Sequence, residues 1–270
     1  MDVADLVTEA RALDPDRTLC VMLGEAGDRP LLLALVLLNA ELARIPELVS
    51  EPLAGRIRYQ WWLDSLGAAA VGGATGGVPL LAPLAAAFAA GRLDPAAVEA
   101  LVTARETELD RLQPENLEAL EGYLAASAGA LHRLLAEACD GSPPEIEAAG
   151  AVGIGCALVG LVRALGRERA RGLLPADLLA AEGVGVADIL AGRSREALDR
   201  LSARLLERAE VHLARAAARA PFRRRVLPAL LPARLARRQA RGLAGARSAP
   251  SSRDAWTVPD LIWGWVRRRI

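Results

Sequence analysis

Lysine is absent from the 270-residue chain, so all 33 basic side chains are arginine. We attribute this absence to a GC-rich genome rather than to a requirement for bidentate anion binding. Cysteine is scarce: Cys20, Cys139 and Cys156 have no paired spacing, which argues against a disulfide framework and a cysteine-rich metal site. The two histidines, His132 and His212, have no cysteine or serine partner in a catalytic motif. We predict both at the surface or its boundary.

Runs of alternating or β-branched residues are also missing, and this predicts an all-α chain. Capping and proline signals delimit the helices. Asp16 is the predicted N-cap of a short helix, and Pro30 lies in the first turn of the apolar helix 31–47. Further helices are predicted over 115–138, from Pro143 to about residue 169, and over 221–243. A chain of this length is long enough for one large helical domain with a substantial core, or for at most two smaller ones.

Two long stretches lack charge, residues 66–91 and 148–162. Glycine and proline interrupt the first, and the second is shorter than a membrane span requires. We therefore predict tight helix packing through small residues. The acidic N-terminus predicts no signal peptide, and we expect a cytoplasmic protein. The predicted organisation is a helical domain over 1–245, then a flexible connection and a C-terminal helix within 246–270.

Positive charge is concentrated at the C-terminal end, where residues 221–270 contain 12 arginines and two aspartates although the whole chain is neutral. Such a basic part meets anionic lipid, an acidic partner or RNA, or it is simply a solvated face. Trp256, Trp263 and Trp265 precede Arg267, Arg268 and Arg269. This pattern is typical of a helix that lies in a membrane interface, and equally of a last helix that docks on the bundle.

Several segments form a recognisable series. They are Leu38-Asn-Ala-Glu-Leu-Ala43, Val49-Ser-Glu-Pro52, Arg58-Tyr-Gln-Trp-Trp-Leu-Asp64, Tyr123-Leu-Ala-Ala-Ser-Ala-Gly129 and Leu174-Pro-Ala-Asp-Leu-Leu179. The series resembles the squalene/phytoene synthase family over roughly residues 15–245. The segments 49–52 and 60–64 resemble more narrowly the divergent branch that includes the mitochondrial assembly factor of respiratory complex I and its bacterial relatives. The resemblance implies a single-domain helical bundle of the isoprenoid (trans-prenyl) synthase type.

Active members of the family present two aspartate-rich motifs that hold Mg²⁺ on facing helices. The first aligns with residues 46–50, where Glu47 is the one remaining carboxylate between Pro46 and Ser50. The second aligns with residues 163–168, where Ala164 replaces the leading aspartate and Glu168 remains acidic. The resemblance therefore implies degenerate motifs, with Glu47 and Glu168 as the candidate metal ligands if the protein is active.

The resemblance also implies a set of substrate-binding candidates. Those for the diphosphates are Arg44, Arg163 and Arg171, and those for the cavity are Tyr59, Trp62, Tyr123 and Gly129. Adjacent residues on a helix cannot face the same way, so core packing is predicted for only one of Trp61 and Trp62.

Two functions fit these patterns. The first is a non-catalytic assembly or interaction factor that needs no cofactor and contacts a protein partner such as respiratory complex subunits. It would lie peripherally on the inner face of the cytoplasmic membrane, and its cavity would bind a lipid or isoprenoid if it persists. The alternative is a Mg²⁺-dependent prenyltransferase that condenses prenyl diphosphates through Glu47 and Glu168. A basic RNA- or membrane-binding module is a third hypothesis, with nucleic acid the least favoured partner.

Overall fold

The computed structural model describes residues 3–110, 113–165, 170, 172–191, 193–244 and 257–270. Every regular element in these residues is helical and none is a strand, which confirms the all-α prediction. The α-helices, numbered in chain order, are α1 Val3–Leu13, α2 Pro15–Met22, α3 Arg29–Leu48, α4 Pro52–Ala70, α5 Leu81–Ala89, α6 Pro95–Glu106, α7 Leu117–Leu124, α8 Ala130–Ala138, α9 Pro143–Ala164, α10 Ala176–Ala181, α11 Val186–Leu190, α12 Arg195–Ala217, α13 Leu227–Leu230, α14 Pro232–Ala244 and α15 Thr257–Arg267.

Local capping explains where two of these helices begin. Asp14 caps α2, because its carboxylate accepts a hydrogen bond from the amide of Arg17 at 3.0 Å. The predicted cap, Asp16, is wrong by two residues, since Pro15 takes the first helical position, where a missing N–H costs nothing. Helix α9 begins with a capping box in which the carboxylate of Glu145 accepts from the amide of Ser142 at 3.0 Å.

Two predicted helices are interrupted in the structure. The predicted helix 115–138 contains a π-helical turn, Ala125–Gly129, between α7 and α8. The predicted helix 221–243 is divided into a 3₁₀ turn, Arg224–Val226, followed by α13 and α14. Pro228 and Pro232 lie at the starts of these last two helices, because proline is tolerated in a first turn but breaks a helix interior.

Helix α9 is the central helix of the bundle and packs against α8, α12 and α14. Its glycines allow the close approach: a Cβ atom added to Gly153 would lie 2.4 Å from the carbonyl oxygen of Ala128. At Gly155 the added atom would lie 2.7 Å from the side chain of Leu213. The predicted packing through small residues is confirmed for this segment. Among the described residues, α9 is the one helix long and apolar enough to cross a membrane, and 61% of its apolar window is buried inside the bundle.

The C-terminal helix α15 docks on the bundle with one face. Leu261 is fully buried, and Asp260 forms an ion pair with Arg234 of α14. Two hydrogen bonds follow the end of the helix. The guanidinium of Arg268 donates to the carbonyl oxygen of Phe222 at 2.7 Å, and the amide of Phe222 donates to the carbonyl oxygen of Arg268 at 3.1 Å. These contacts anchor the helix against α14 and the residues that precede α13. The flexible connection is predicted over residues 244–254. Its residues 245–254, together with Trp256, lie outside the described residues, and Ala244 is the last residue of α14.

Candidate functional site

A cavity of about 480 Å³ lies between α2, α3, α6, α7, α9 and α14. Its size is within the range of small-molecule sites, about 300–1,000 Å³. Alanine and leucine form much of its wall. The charged residues of the described wall are four arginines and four carboxylates, which are Arg17, Arg44, Arg105, Arg163, Asp14, Asp16, Glu47 and Glu108.

Helix α3 turns one face toward this cavity. The wall residues of that face are Asn39, Ala40, Ala43, Arg44 and Glu47, which recur at helical spacing. A motif of the form Asp-Asp-x-x-Asp presents its first, second and fifth positions on one helix face. Read from Ala43, those three positions are Ala43, Arg44 and Glu47. The cavity-lining face of α3 therefore has the spacing of the first motif at residues 43–47.

The sequence alignment placed this motif three residues later, on residues 46–50. Pro46 and Ser50 instead line a separate depression together with Leu109 and Asp110. The first and last positions of that alignment therefore do not reach the cavity wall. Glu47 supplies a carboxylate in either register, and in the register 43–47 Arg44 occupies the second motif position.

Helix α9 supplies the facing wall, with Arg163 and Ala164 of the second motif both lining the cavity. The guanidinium of Arg163 donates to the side-chain oxygen of Gln239 at 3.0 Å and lies 3.7 Å from the carboxylate of Asp16. Gln239 in turn donates to Asp16 at 2.7 Å. This network joins α2, α9 and α14 across one side of the cavity. Glu168 and Arg171, the other residues predicted here, lie outside the described residues.

A second polar network joins α3, α6 and α7. Arg105 donates to the carboxylate of Glu108 at 2.8 Å, to the hydroxyl of Tyr123 at 3.2 Å and to the side-chain oxygen of Asn39 at 2.8 Å. The hydroxyl of Tyr123 also donates to Glu108. Tyr123 therefore lies in the cavity wall as predicted, but its polar atom is engaged with protein groups. The π-helical turn that follows it is a local feature often found at functional sites.

A buried histidine supports the wall at Arg17. The Nε2 atom of His132 accepts a hydrogen bond from Arg17 Nε at 3.1 Å, so Nδ1–H donates to the carbonyl oxygen of Ala229 at 2.7 Å. Burial lowers the pKa of His132 to about 3, and the charge of Arg17 acts in the same direction. The prediction of a surface or boundary histidine is wrong, because helices from three parts of the chain enclose this ring.

Arg17 also forms an ion pair of 2.6 Å with Asp14. Burial by itself raises the pKa of Asp14, but the charge and hydrogen bonds of Arg17 outweigh it and hold the pKa below its usual value. Asp14, Asp16 and Glu108 are therefore each paired with an arginine in the cavity wall. Within the described residues, no three histidine, cysteine or acidic side chains are grouped so as to hold a metal ion.

The donor set of the described wall residues, which do not include Glu168, is a poor fit to Mg²⁺. This ion requires octahedral oxygen coordination, in which carboxylates anchor it. Three of the four described carboxylates are engaged by arginine, and the fourth, Glu47, stands beside Arg44 in the motif. An arginine at a ligand position repels a cation.

Three predicted substrate-binding residues do not line the cavity. Tyr59 is fully buried, and its hydroxyl donates to the carbonyl oxygen of Leu42 at 2.9 Å. In a regular helix the amide of residue 46 would bind this carbonyl, but Pro46 has no N–H group. Tyr59 thus supplies the donor that proline removes, and it fastens α4 to α3.

Trp62 and Gly129 also have packing contacts. Trp62 is 7% exposed and Trp61 is 48% exposed, which confirms that only one of the pair packs in the core. A Cβ atom added to Gly129 would lie 3.3 Å from the carbonyl oxygen of Leu124 and 3.4 Å from that of Gly150. Gly129 therefore permits the close approach of α9 to the π-helical turn.

Sequence reasoning missed Asp16, Asn39, Arg105, Glu108 and Gln239 as members of the cavity wall. Arg105 and Glu108 have the i, i+3 spacing of a helical ion pair, and Asn39 precedes Ala43 and Glu47 at four-residue intervals. These spacings indicate shared faces. They do not indicate that the faces of separate helices meet.

Comparison with known proteins agrees with the fold. The sequence profile of the squalene/phytoene synthase family matches residues 10–258. A dehydrosqualene synthase solved in complex with a ligand is similar, with a TM-score of 0.78 and 15% identity over 98% of this chain and 95% of that one. The squalene synthase HpnC from Alicyclobacillus acidocaldarius gives a TM-score of 0.72 and 17% identity over 90% and 92%.

YisP from Bacillus subtilis subsp. subtilis strain 168 gives a TM-score of 0.66 and 15% identity over 90% of this chain and 86% of that one. Curated protein sequences give no significant match. The structural likeness confirms the predicted isoprenoid synthase fold. Together with the profile match over most of its length, it shows that this chain belongs to the squalene/phytoene synthase family.

Proposed function

We propose that this chain is a non-catalytic member of its family that acts as an assembly or interaction factor. The observation that carries the proposal is the chemistry of the motif positions on the cavity wall. Ala43, Arg44 and Ala164 line the cavity, and by the resemblance we match them to the positions where prenyl-transferring members carry metal-binding aspartates. A methyl group offers no ligand, and a guanidinium opposes a metal ion at close range.

The charge balance of the cavity supports the same proposal. Its four described arginines are matched by four carboxylates, so the described wall carries no surplus positive charge for a diphosphate. Binding a diphosphate would require the arginines to leave their present partners, and the buried carboxylates of Asp14 and Glu108 would then lose their counter-charges. The two networks stabilise the walls of the cavity instead. A neutral or weakly charged lipid or isoprenoid fits the alanine- and leucine-lined space better than a prenyl diphosphate does.

An exposed apolar stripe on α4 supports a role in binding a protein. Leu53, Ile57 and Trp61 recur every four residues and are 69%, 64% and 48% exposed. Contiguous exposed apolar side chains mark interaction sites, and tryptophan is enriched at interface hot spots. The stripe begins directly after the segment 49–52 and ends within the segment 60–64, and both segments resemble the complex I assembly factor branch. Subunits of a respiratory complex are therefore the partner that we propose.

The catalytic alternative is tested by calorimetric titration with farnesyl diphosphate, with and without Mg²⁺, followed by a search for a condensed product. We expect no Mg²⁺-dependent binding, no product, and no difference between the wild type and the variants Glu47→Gln and Glu168→Gln. Micromolar binding that requires Mg²⁺ and is lost in both variants would establish a prenyltransferase and overturn the proposal.

The proposed interaction with a protein partner is tested by capturing proteins from solubilised membranes with the tagged full chain. We expect subunits of a respiratory complex, and a severalfold loss of them with the variant Ile57→Ser/Trp61→Ser. The control is Ile262→Ser/Trp263→Ser, which removes the same residue types at similar exposure from α15. Equal capture by all three proteins, or capture of no such subunit, contradicts the proposed partner.

A further inference from the structure

The outer face of α15 is apolar although its inner face already docks on the bundle. Val258, Ile262, Trp263 and Val266 are between 43% and 55% exposed. On the opposite side Leu261 is fully buried. Packing on the bundle therefore accounts for one apolar face and leaves the second in contact with water. A continuous exposed apolar face of this kind marks a binding surface.

Two tryptophan–arginine pairs border this face. The guanidinium of Arg267 lies 4.5 Å from the ring centre of Trp263, and that of Arg224 lies 4.8 Å from the ring centre of Trp265. The two tryptophans are two residues apart, so they lie on opposite flanks of the helix. Each flank thus presents an aromatic ring with a cation on it.

The positive charge at this surface is largely uncompensated. The one acidic residue of α15, Asp260, is already paired with Arg234. The neighbours Arg223 and Arg225 are likewise paired with carboxylates of the bundle. By contrast, no carboxylate in the described part of the chain forms an ion pair with the exposed arginines at this surface, which are Arg224, Arg267, Arg268 and Arg269.

We propose that the outer face of α15 binds the surface of an anionic phospholipid bilayer. The aliphatic side chains enter the boundary of the acyl region, while the tryptophan rings lie at the level of the headgroups. The bordering arginines meet the anionic lipid phosphates, and each contributes about 1 kcal/mol near such a surface. Charge complementarity selects a bilayer over an apolar protein groove. The apolar stripe spans about 12 Å along the helix, which suits a segment lying in the interface rather than crossing it.

This inference goes beyond the proposed function and does not depend on it, because the proposed protein contact lies on α4. The test is co-sedimentation of the full chain with vesicles of phosphatidylcholine alone, or of equal parts phosphatidylcholine and phosphatidylglycerol. We expect binding to the mixed vesicles, much weaker binding to the neutral ones, and a decrease as salt screens the arginines.

Three variants locate the binding surface. Ile262→Ser/Trp263→Ser should weaken vesicle binding about tenfold or more, because it removes the largest apolar area that enters the bilayer. Arg267→Gln/Arg269→Gln should weaken it by roughly fivefold for each arginine. The control Ile57→Ser/Trp61→Ser should bind like the wild type. Circular dichroism and thermal unfolding confirm that the variants fold, which we expect because the replaced side chains are exposed.

Three results would contradict the proposed binding to an anionic bilayer. The proposal fails if the folded wild type binds neither kind of vesicle, or if neutral vesicles bind as tightly as anionic ones. It also fails if the α4 control loses as much binding as the α15 variants. Loss of respiratory subunit capture with intact vesicle binding would count against the proposed function alone.

Discussion

The hydrogen bond from Tyr59 to the carbonyl oxygen of Leu42 compensates for a proline inside α3. Its length is 2.9 Å, and the tyrosine ring is fully buried. Because Pro46 removes the amide that would otherwise bind this carbonyl, the variant Tyr59→Phe leaves a buried acceptor without its donor. We expect a loss of about 1–3 kcal/mol in the free energy of unfolding, which is the usual cost of an unsatisfied buried polar group.

The variant Pro46→Ala provides the matched background. Alanine restores an amide at residue 46, so the carbonyl of Leu42 regains a helical partner. In that background Tyr59→Phe should cost only the net value of one hydrogen bond, about 0.5–1.5 kcal/mol. The four proteins form a double-mutant cycle, and urea unfolding measures each stability. We expect a coupling of about 1 kcal/mol. If Tyr59→Phe costs the same in both backgrounds, the hydroxyl does not replace the missing amide and the reasoning is refuted.

Two further predictions concern helix packing and pH. Gly153→Ala and Gly160→Ala make the same change within α9, but an added Cβ atom meets backbone 2.4 Å away at Gly153 and nothing within 4 Å at Gly160. Both variants gain the same helix propensity, so this gain cancels when they are compared. Gly153→Ala should therefore have a free energy of unfolding in urea about 1–3 kcal/mol lower than that of Gly160→Ala, which is the cost of overpacking. Equal stabilities would contradict the close approach at Gly153. The folded pKa of His132 is about 3 against an ordinary 6.5. Between these values the unfolded chain binds a proton that the folded chain does not, so stability is full above pH 6.5 and falls as the pH falls. The variant His132→Gln should reduce the slope of stability against pH. An unchanged slope would show that the pKa of His132 is the same in the folded and the unfolded chain.

Much of the fold was predictable because its signals are local. Proline and capping residues placed the starts of α3 and α9, and the small residues of α9 indicated close packing. The interruptions were less predictable. Three of the five residues of the π-helical turn Ala125–Gly129 are alanine, the best helix former, so the composition predicts an uninterrupted α-helix there.

The candidate site was predictable in composition but not in register. The depleted motifs, Glu47 and the role of Tyr123 in the wall followed from the sequence resemblance. The face of α3 that meets the cavity did not, because its wall residues mix alanine with polar and charged side chains, and the charged residue Glu41 lies off that face. The polarity pattern of this half of the helix therefore does not orient it. The second motif's Glu168 lies outside the described residues, so its part in the site stays a prediction.

For His132 and for the pair Trp61 and Trp62, the sequence predicted less than the tertiary structure decided. The spacing of adjacent residues determined that Trp61 and Trp62 face different ways, but only their neighbours decided which one is buried. The burial of His132 depends on Arg17 and Ala229, which are 115 and 97 positions away in the chain.

By itself the sequence determined the helical class, most helix starts, the depleted metal motifs and the basic, tryptophan-rich end. Each of these depends on residue types or on spacing within one helix. The tertiary structure alone decided which faces meet in the cavity, which carboxylates pair with arginine, and which side of α15 stays exposed. The physical reason is that burial and ion pairing are properties of several helices packed together, whereas propensity and periodicity act within one.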